Sequence, residues 1–296
     1  MKGTALRGVL TALVTPFRQD LSVDEEAFAR LVRRQLEAGI HGLVPCGTTG
    51  ETPVLTDAEW ERLIALTVEL AGGRVPVVAG TGTNGTAHSI ERTRRARALG
   101  ADAALVVTPY YNKPNPDGLV GHYRAVARDG GLPVVVYNVP GRTGLNALPE
   151  LVLRIAEIEG VVAVKEASGN LGQAMSIVAR RRPGFAVLSG EDELNVPMML
   201  MGGDGAISVL SNVDPAGTVR MAEAALAGDV AAACREHYRT LELTRALFAE
   251  TNPVPCKAAL SLLGLCDWTV RLPLAHAADA TVARLKGALE RAAVKA

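Results

Sequence analysis

Val161-Val162-Ala163-Val164-Lys165-Glu166 is an apolar run that ends abruptly in charge. Its first four residues read as a strand buried on both faces, the kind found where helices cover a sheet from either side. Similar short runs recur at residues 9–14, 42–46, 75–79, 103–108, 133–138, 185–189 and 205–209. Between them lie helical patterns, at 24–38, 56–71, 86–99, 170–181 and 191–201, joined by loops of a few residues. About eight alternating units imply parallel strands, closed as a (β/α)8 TIM barrel; an open, doubly wound sheet is the alternative. After Pro215 the strands stop. The remainder, from Asp229 onward, is Ala- and Leu-rich helix interrupted at Asn252-Pro253-Val254-Pro255. This divides the chain into a catalytic barrel over 1–228 and a C-terminal helical appendage over 229–296.

Composition narrows the function. Of 296 residues, 48% are apolar and 21% charged, with 31 Lys+Arg against 31 Asp+Glu. A balanced surface offers no basic field to nucleic acid and favours small-molecule partners. The opening MKGTALRGVLTALVTPF is interrupted by Thr4, Arg7 and Thr11 and is followed by no small-residue cleavage site, so it reads as a first strand rather than as a signal. No apolar run reaches the length of a membrane span, and Cys46, Cys234, Cys256 and Cys266 show neither a CxxC pair nor a framework spacing. A cytoplasmic enzyme with reduced thiols is expected.

Lys165 is the residue hardest to explain structurally. An ammonium at the end of a buried strand is disfavoured by desolvation, which lowers lysine pKa values. At an ordinary pKa only about one amine in a thousand is neutral near pH 7, and a shift of roughly three units makes the nucleophilic amine a major species. Schiff-base chemistry with a carbonyl substrate is the expectation. Other unusual polar residues also follow strands: Gly47-Thr48-Thr49-Gly50-Glu51 the second, Thr108-Pro109-Tyr110-Tyr111-Asn112 the fourth, Tyr137-Asn138 the fifth and Ser208 the eighth. In a barrel the carboxyl ends of all strands converge on one mouth.

Two motifs point elsewhere. Gly80-Thr81-Gly82-Thr83-Asn84-Gly85 matches GxGxxG, but no acidic residue ends the next strand to hold a ribose, so a dinucleotide is not expected. Glu191-Asp192-Glu193 has no histidine at ligand spacing and reads as the charged first turn of a helix, not a metal site.

Taken together, the segment 47–51, the segment 108–112, Tyr137-Asn138-Val139-Pro140-Gly141-Arg142-Thr143-Gly144 and Val164-Lys165-Glu166-Ala167 closely resemble the dihydrodipicolinate synthase / N-acetylneuraminate lyase family of class I aldolases. The resemblance continues through Leu188-Ser189-Gly190, Gly205-Ala206-Ile207-Ser208-Val209 and Asn252-Pro253-Val254-Pro255-Cys256-Lys257. The doubled threonine, Pro-Tyr-Tyr-Asn and Ile-Ser-Val are most similar to the branch that condenses pyruvate with aspartate semialdehyde on the way to lysine. A sister aldolase cleaving a 4-hydroxy-2-oxo acid, of N-acetylneuraminate or 2-keto-3-deoxygluconate type, is the alternative, and a catalytically silent barrel is a third reading that the intact residue set disfavours.

The resemblance implies roles residue by residue. Lys165 would form an imine with pyruvate, so that no metal or separate cofactor is needed. Tyr137 would be the general acid/base, with Thr48 and Tyr111 passing its proton to solvent. Tyr111 would act across a tight dimer interface, within a homotetramer. Backbone N–H groups of Thr48 and Thr49, at a helix start, would hold the pyruvate carboxylate; Arg142 would grip that of the semialdehyde, and Ile207 would line the substrate site. Family members inhibited by lysine have a glutamate at the position of His88 and histidines at Asp57 or Trp60, so although Asn84 and Tyr110 persist, lysine inhibition is expected to be weak or absent.

Overall fold

The computed structural model describes residues 6–294. The first five residues of the opening stretch and the last two of the helical appendage lie outside the described residues. Eight strands, β1 (Gly8–Ala12), β2 (Gly42–Val44), β3 (Val78–Gly80), β4 (Ala103–Val107), β5 (Val134–Asn138), β6 (Val161–Glu166), β7 (Ala186–Ser189) and β8 (Gly205–Ser208), form one parallel sheet in the order β2-β1-β8-β7-β6-β5-β4-β3. Its two edges meet: Leu43 and Val77 form a parallel bridge, and the Leu43 N–H donates to the Pro76 carbonyl at 3.0 Å. The sheet is therefore closed, a (β/α)8 barrel rather than an open doubly wound sheet.

Strand alternation sorts the side chains. Leu10, Val44, Leu105, Val135, Ala163 and Ile207 fill the barrel interior, while their neighbours Val9, Leu43, Val106, Val136, Val164 and Ala206 pack outward against the helices. That period of two puts Tyr137 and Lys165 on the interior face and Glu166 on the outer one.

The helices begin where the sequence supplies caps. Asp24 accepts from the Ala27 N–H, Thr56 and Glu59 form a capping box, and Asn170 accepts from the Gln173 N–H. Two elements differ from the sequence expectation. The third strand, expected at 75–79, is regular only from Val78, since Pro76 has no N–H to give the ladder. The helix expected at 191–201 is a 3-10 turn, Asp192–Leu194, followed by Asn195–Leu200. Asp192 is not a solvated first-turn charge. It is buried and accepts from the Asn195 side chain at 2.8 Å and from the Val209 and Leu210 N–H groups at 2.9 Å, stapling this turn to the end of β8.

The first two glycines of GxGxxG have a packing reason. A Cβ at Gly80 would lie 2.1 Å from the Cys46 carbonyl oxygen, and one at Gly82 would lie 2.3 Å from the Val107 nitrogen. Backbone there approaches backbone, with no nucleotide required.

Helices Val230–Leu247, Val254–Leu262 and Asp279–Arg291 make a second apolar cluster, seated on the barrel through Val14, Leu31, Val209, Leu210 and Val213. Among the described residues no helix is long and apolar enough to cross a membrane. All four cysteines are free, Cys46 and Cys256 buried, Cys234 and Cys266 half-buried.

Candidate active site

Lys165 and Tyr137 are paired across the β5–β6 ladder, which places both side chains at the carboxyl end of the barrel interior. Lys165 is only 5% exposed, and its Nζ stands 4.3 Å from the centroid of the Tyr137 ring. Among the described residues, Nζ makes no hydrogen bond and no ion pair. The neighbouring carboxylate does not answer it: Glu166 faces outward and accepts from Asn138 Nδ2 at 3.0 Å, from the Ser168 N–H at 2.8 Å and from Gln173 Nε2 at 3.3 Å. The lysine nitrogen is thus held in place by packing and left uncommitted. Room for its chain comes from Gly190, where a Cβ would lie 2.9 Å from Lys165 Cε, 3.1 Å from its Cγ and 2.6 Å from the Ala167 Cβ.

Thr48 and Thr49 follow β2 in a run of turns, not at the start of an α-helix as the sequence suggested. The Gly50 and Glu51 N–H groups donate back to the Gly47 and Thr48 carbonyls at 3.1 Å, a three-residue 3-10 turn follows at Thr52–Val54, and the helix begins only at Asp57. The N–H groups of Thr48 and Thr49 meet no carbonyl among the described residues and remain available to an anion. Thr49 is buried, and its Oγ1 accepts from Asn252 Nδ2 at 2.9 Å. The carbonyl of the same asparagine accepts from Arg142 at 3.0 Å. Arg142 lies in the short helix Pro140–Thr143 and is exposed.

Ile207 is buried in the interior layer on β8, two strands from the lysine strand β6. Tyr111 is not brought to the others: it is 90% exposed with φ +70°, a left-handed conformation that costs a non-glycine residue energy. Thr48 is half-buried, and among the described residues no hydrogen bond joins it to Tyr137.

A family profile described as the dihydrodipicolinate synthetase family matches residues 5–292. The chain belongs to the dihydrodipicolinate synthetase family. It is 52% identical to the 4-hydroxy-tetrahydrodipicolinate synthase of Thermomicrobium roseum over 96% of this chain and 94% of that one. The crystal structure of dihydrodipicolinate synthase from Thermotoga maritima superposes with a TM-score of 0.96 at 43% identity, covering 98% of this chain and 99% of the other. A monomeric dihydrodipicolinate synthase variant is similar to the same degree, TM-score 0.96 and 43% identity, over 99% of this chain and 98% of that chain.

Three residues at this candidate site were given no role of their own by the sequence, although Gly190 and Asn252 lie in segments that carry the family resemblance. Gly190 is only the last residue of the segment 188–190, and Asn252 part of a helix break 203 positions from its partner Thr49. Glu191 follows Gly190, close enough to Lys165 and Arg142 to feel both charges; burial, with Asp192 beside it, pushes its carboxyl up to about 7. Its acidic neighbours in sequence disguised it as helix charge.

Proposed function

We propose that this chain is a class I synthase that condenses pyruvate with L-aspartate 4-semialdehyde to 4-hydroxy-tetrahydrodipicolinate, in lysine and diaminopimelate biosynthesis. The observation that carries the reading is the buried, uncommitted Lys165 amine beside the Tyr137 ring. Lys165 attacks the pyruvate ketone and water leaves, giving an imine whose nitrogen is an electron sink. Loss of a methyl proton yields the enamine, which adds to the aldehyde carbon. The semialdehyde amine then attacks the imine carbon, closing the ring and releasing Lys165. No cofactor is needed beyond the lysine imine itself.

Tyr137 is the acid/base nearest the reacting carbon, with Thr48 and a Tyr111 its relay. Since Tyr111 projects away from its own barrel, the relay is completed by the Tyr111 of a second copy, within a homotetramer of tight dimers. The Thr48 and Thr49 N–H groups bind the pyruvate carboxylate, Arg142 binds that of the semialdehyde as a fork, and Ile207 forms an apolar wall. We assign residues 1–228 as the catalytic barrel, residues 229–296 as a helical region packed on it, and the cytoplasm as the compartment.

The family resemblance and the Arg142 fork favour a carboxylate-bearing acceptor over a sugar. A coupled assay comparing aspartate semialdehyde with sugar-derived aldehydes, at saturating pyruvate, tests this. Preference for the semialdehyde supports the synthase; preference for the sugar aldehyde identifies the sister aldolase, and no turnover with either contradicts both.

A further inference from the structure

Lys257 is fully buried, 0% exposed, and its Nζ donates to Glu51 Oε1 at 2.7 Å. Glu51 is itself 3% exposed. The two are 206 positions apart, Glu51 in the loop after β2 and Lys257 in helix Val254–Leu262. A buried ion pair is a poor way to stabilise a fold, because desolvating two ions offsets most of their attraction and apolar replacements are often as stable. The pair is also directional. The second Glu51 oxygen accepts from the Arg271 N–H at 3.1 Å, and Arg271 donates to the Val54 carbonyl at 2.8 Å. Phe17 closes the site from the barrel side, its ring 4.2 Å from Lys257 Nζ.

Glu51 sits at φ +53°. For a residue with a side chain this conformation persists only where the surroundings over-determine it. It is the last residue of the turn run whose Thr48 and Thr49 N–H groups face no acceptor. On its other flank, Asn252 holds Thr49 Oγ1 at 2.9 Å. The Thr15 hydroxyl also donates to the Gly50 carbonyl at 2.8 Å from the barrel side, but the side chains of Thr49 and Glu51, which flank that point, are both held by the C-terminal segment.

We propose that Lys257, through its buried contact with Glu51, is a positioning residue that sets the pyruvate-carboxylate cradle at the right distance from Lys165. The proposal rests on the reading above, that Thr48 and Thr49 bind the pyruvate carboxylate. It makes the appendage part of the active site: the barrel supplies the nucleophile and the C-terminal helices fix the anion site that presents pyruvate to it.

Lys257→Met alone leaves a buried carboxylate without a counter-ion and can fail to fold for that reason. The paired variant Glu51→Met/Lys257→Met removes both charges and keeps the volume filled. The readouts are thermal stability, the pyruvate concentration giving half-maximal borohydride inactivation without acceptor, and the KM for aspartate semialdehyde at saturating pyruvate. The expected result is a folded double variant whose half-maximal pyruvate concentration rises by about tenfold or more, while its semialdehyde KM stays within about twofold. A double variant with the parental pyruvate dependence overturns the proposal, as does an equal rise in both constants, which marks a general structural role. If the parent protein itself forms no borohydride-trapped pyruvate adduct, the underlying functional reading fails instead.

Discussion

Gly190→Ala inserts one methyl group where the structure has none to spare. The new Cβ would stand 2.9 Å from Lys165 Cε and 2.6 Å from the Ala167 Cβ. Carbon pairs prefer about 3.5–4.0 Å, so the lysine chain must retreat by roughly 0.6–1 Å or the β7 end must move. Overpacking of this kind costs about 1–3 kcal/mol of stability. A displacement of about 1 Å at a reacting group costs up to about 100-fold in rate, so kcat should fall about 10- to 100-fold. Steady-state turnover and the rate of borohydride trapping at saturating pyruvate measure the effect. Stability and positioning can be separated by adding Ala167→Gly, which removes the shorter contact and leaves the one to Lys165. The double variant should regain thermal stability and remain slow. A Gly190→Ala protein with parental kcat and parental trapping rate would refute the packing argument.

Tyr137→Phe keeps the ring over Lys165 and removes only the hydroxyl, so the fold should persist while turnover drops about 10²- to 10⁴-fold; normal activity would take Tyr137 out of proton transfer. Free lysine should inhibit weakly or not at all. His88 is exposed and supplies no fixed negative charge, and Asp57 is already engaged by Arg95 at 2.9 Å and Arg92 at 3.7 Å, which hold its carboxyl below the usual range. An ammonium brought there meets two guanidinium groups; half-inhibition by submillimolar lysine would contradict this. Glu191 gives a pH signature. Its folded pKa, about 7, lies above the unfolded value of 4.5, so the folded state holds the proton longer, and stability from this group is complete below 4.5 and is lost as pH rises to 7. Glu191→Gln should therefore gain on the parent in melting temperature as pH climbs from 4.5 through 7; parallel curves would refute the assignment.

Much of this architecture was legible because buried parallel strands advertise themselves as apolar runs, and the residues ending them were the unusual ones. Lys165 was visible because a charge contradicted its surroundings, while the face it shares with Tyr137 became evident only from the strand register. Less visible was anything made by long-range closure. Nothing local marks Asn252 as the partner of Thr49 or Lys257 as the partner of Glu51, since those contacts exist only once the C-terminal helices dock. The helix start expected at Thr48 failed for a local reason: the chain spends residues 45–51 in turns and reaches an α-helix only after Thr56 caps it. Asp192 was misread because an acidic residue before a helix is ordinarily a dipole partner, whereas here three donors claim it, the Asn195 side chain and the N–H groups of the two residues just after β8.

The most direct test is reduction of the protein with borohydride in the presence of pyruvate, followed by peptide mapping by mass spectrometry. A single reduced pyruvate adduct on Lys165, absent without pyruvate and abolished in Lys165→Ala, is the expected result. An adduct on another lysine, or none at all, would contradict the imine mechanism.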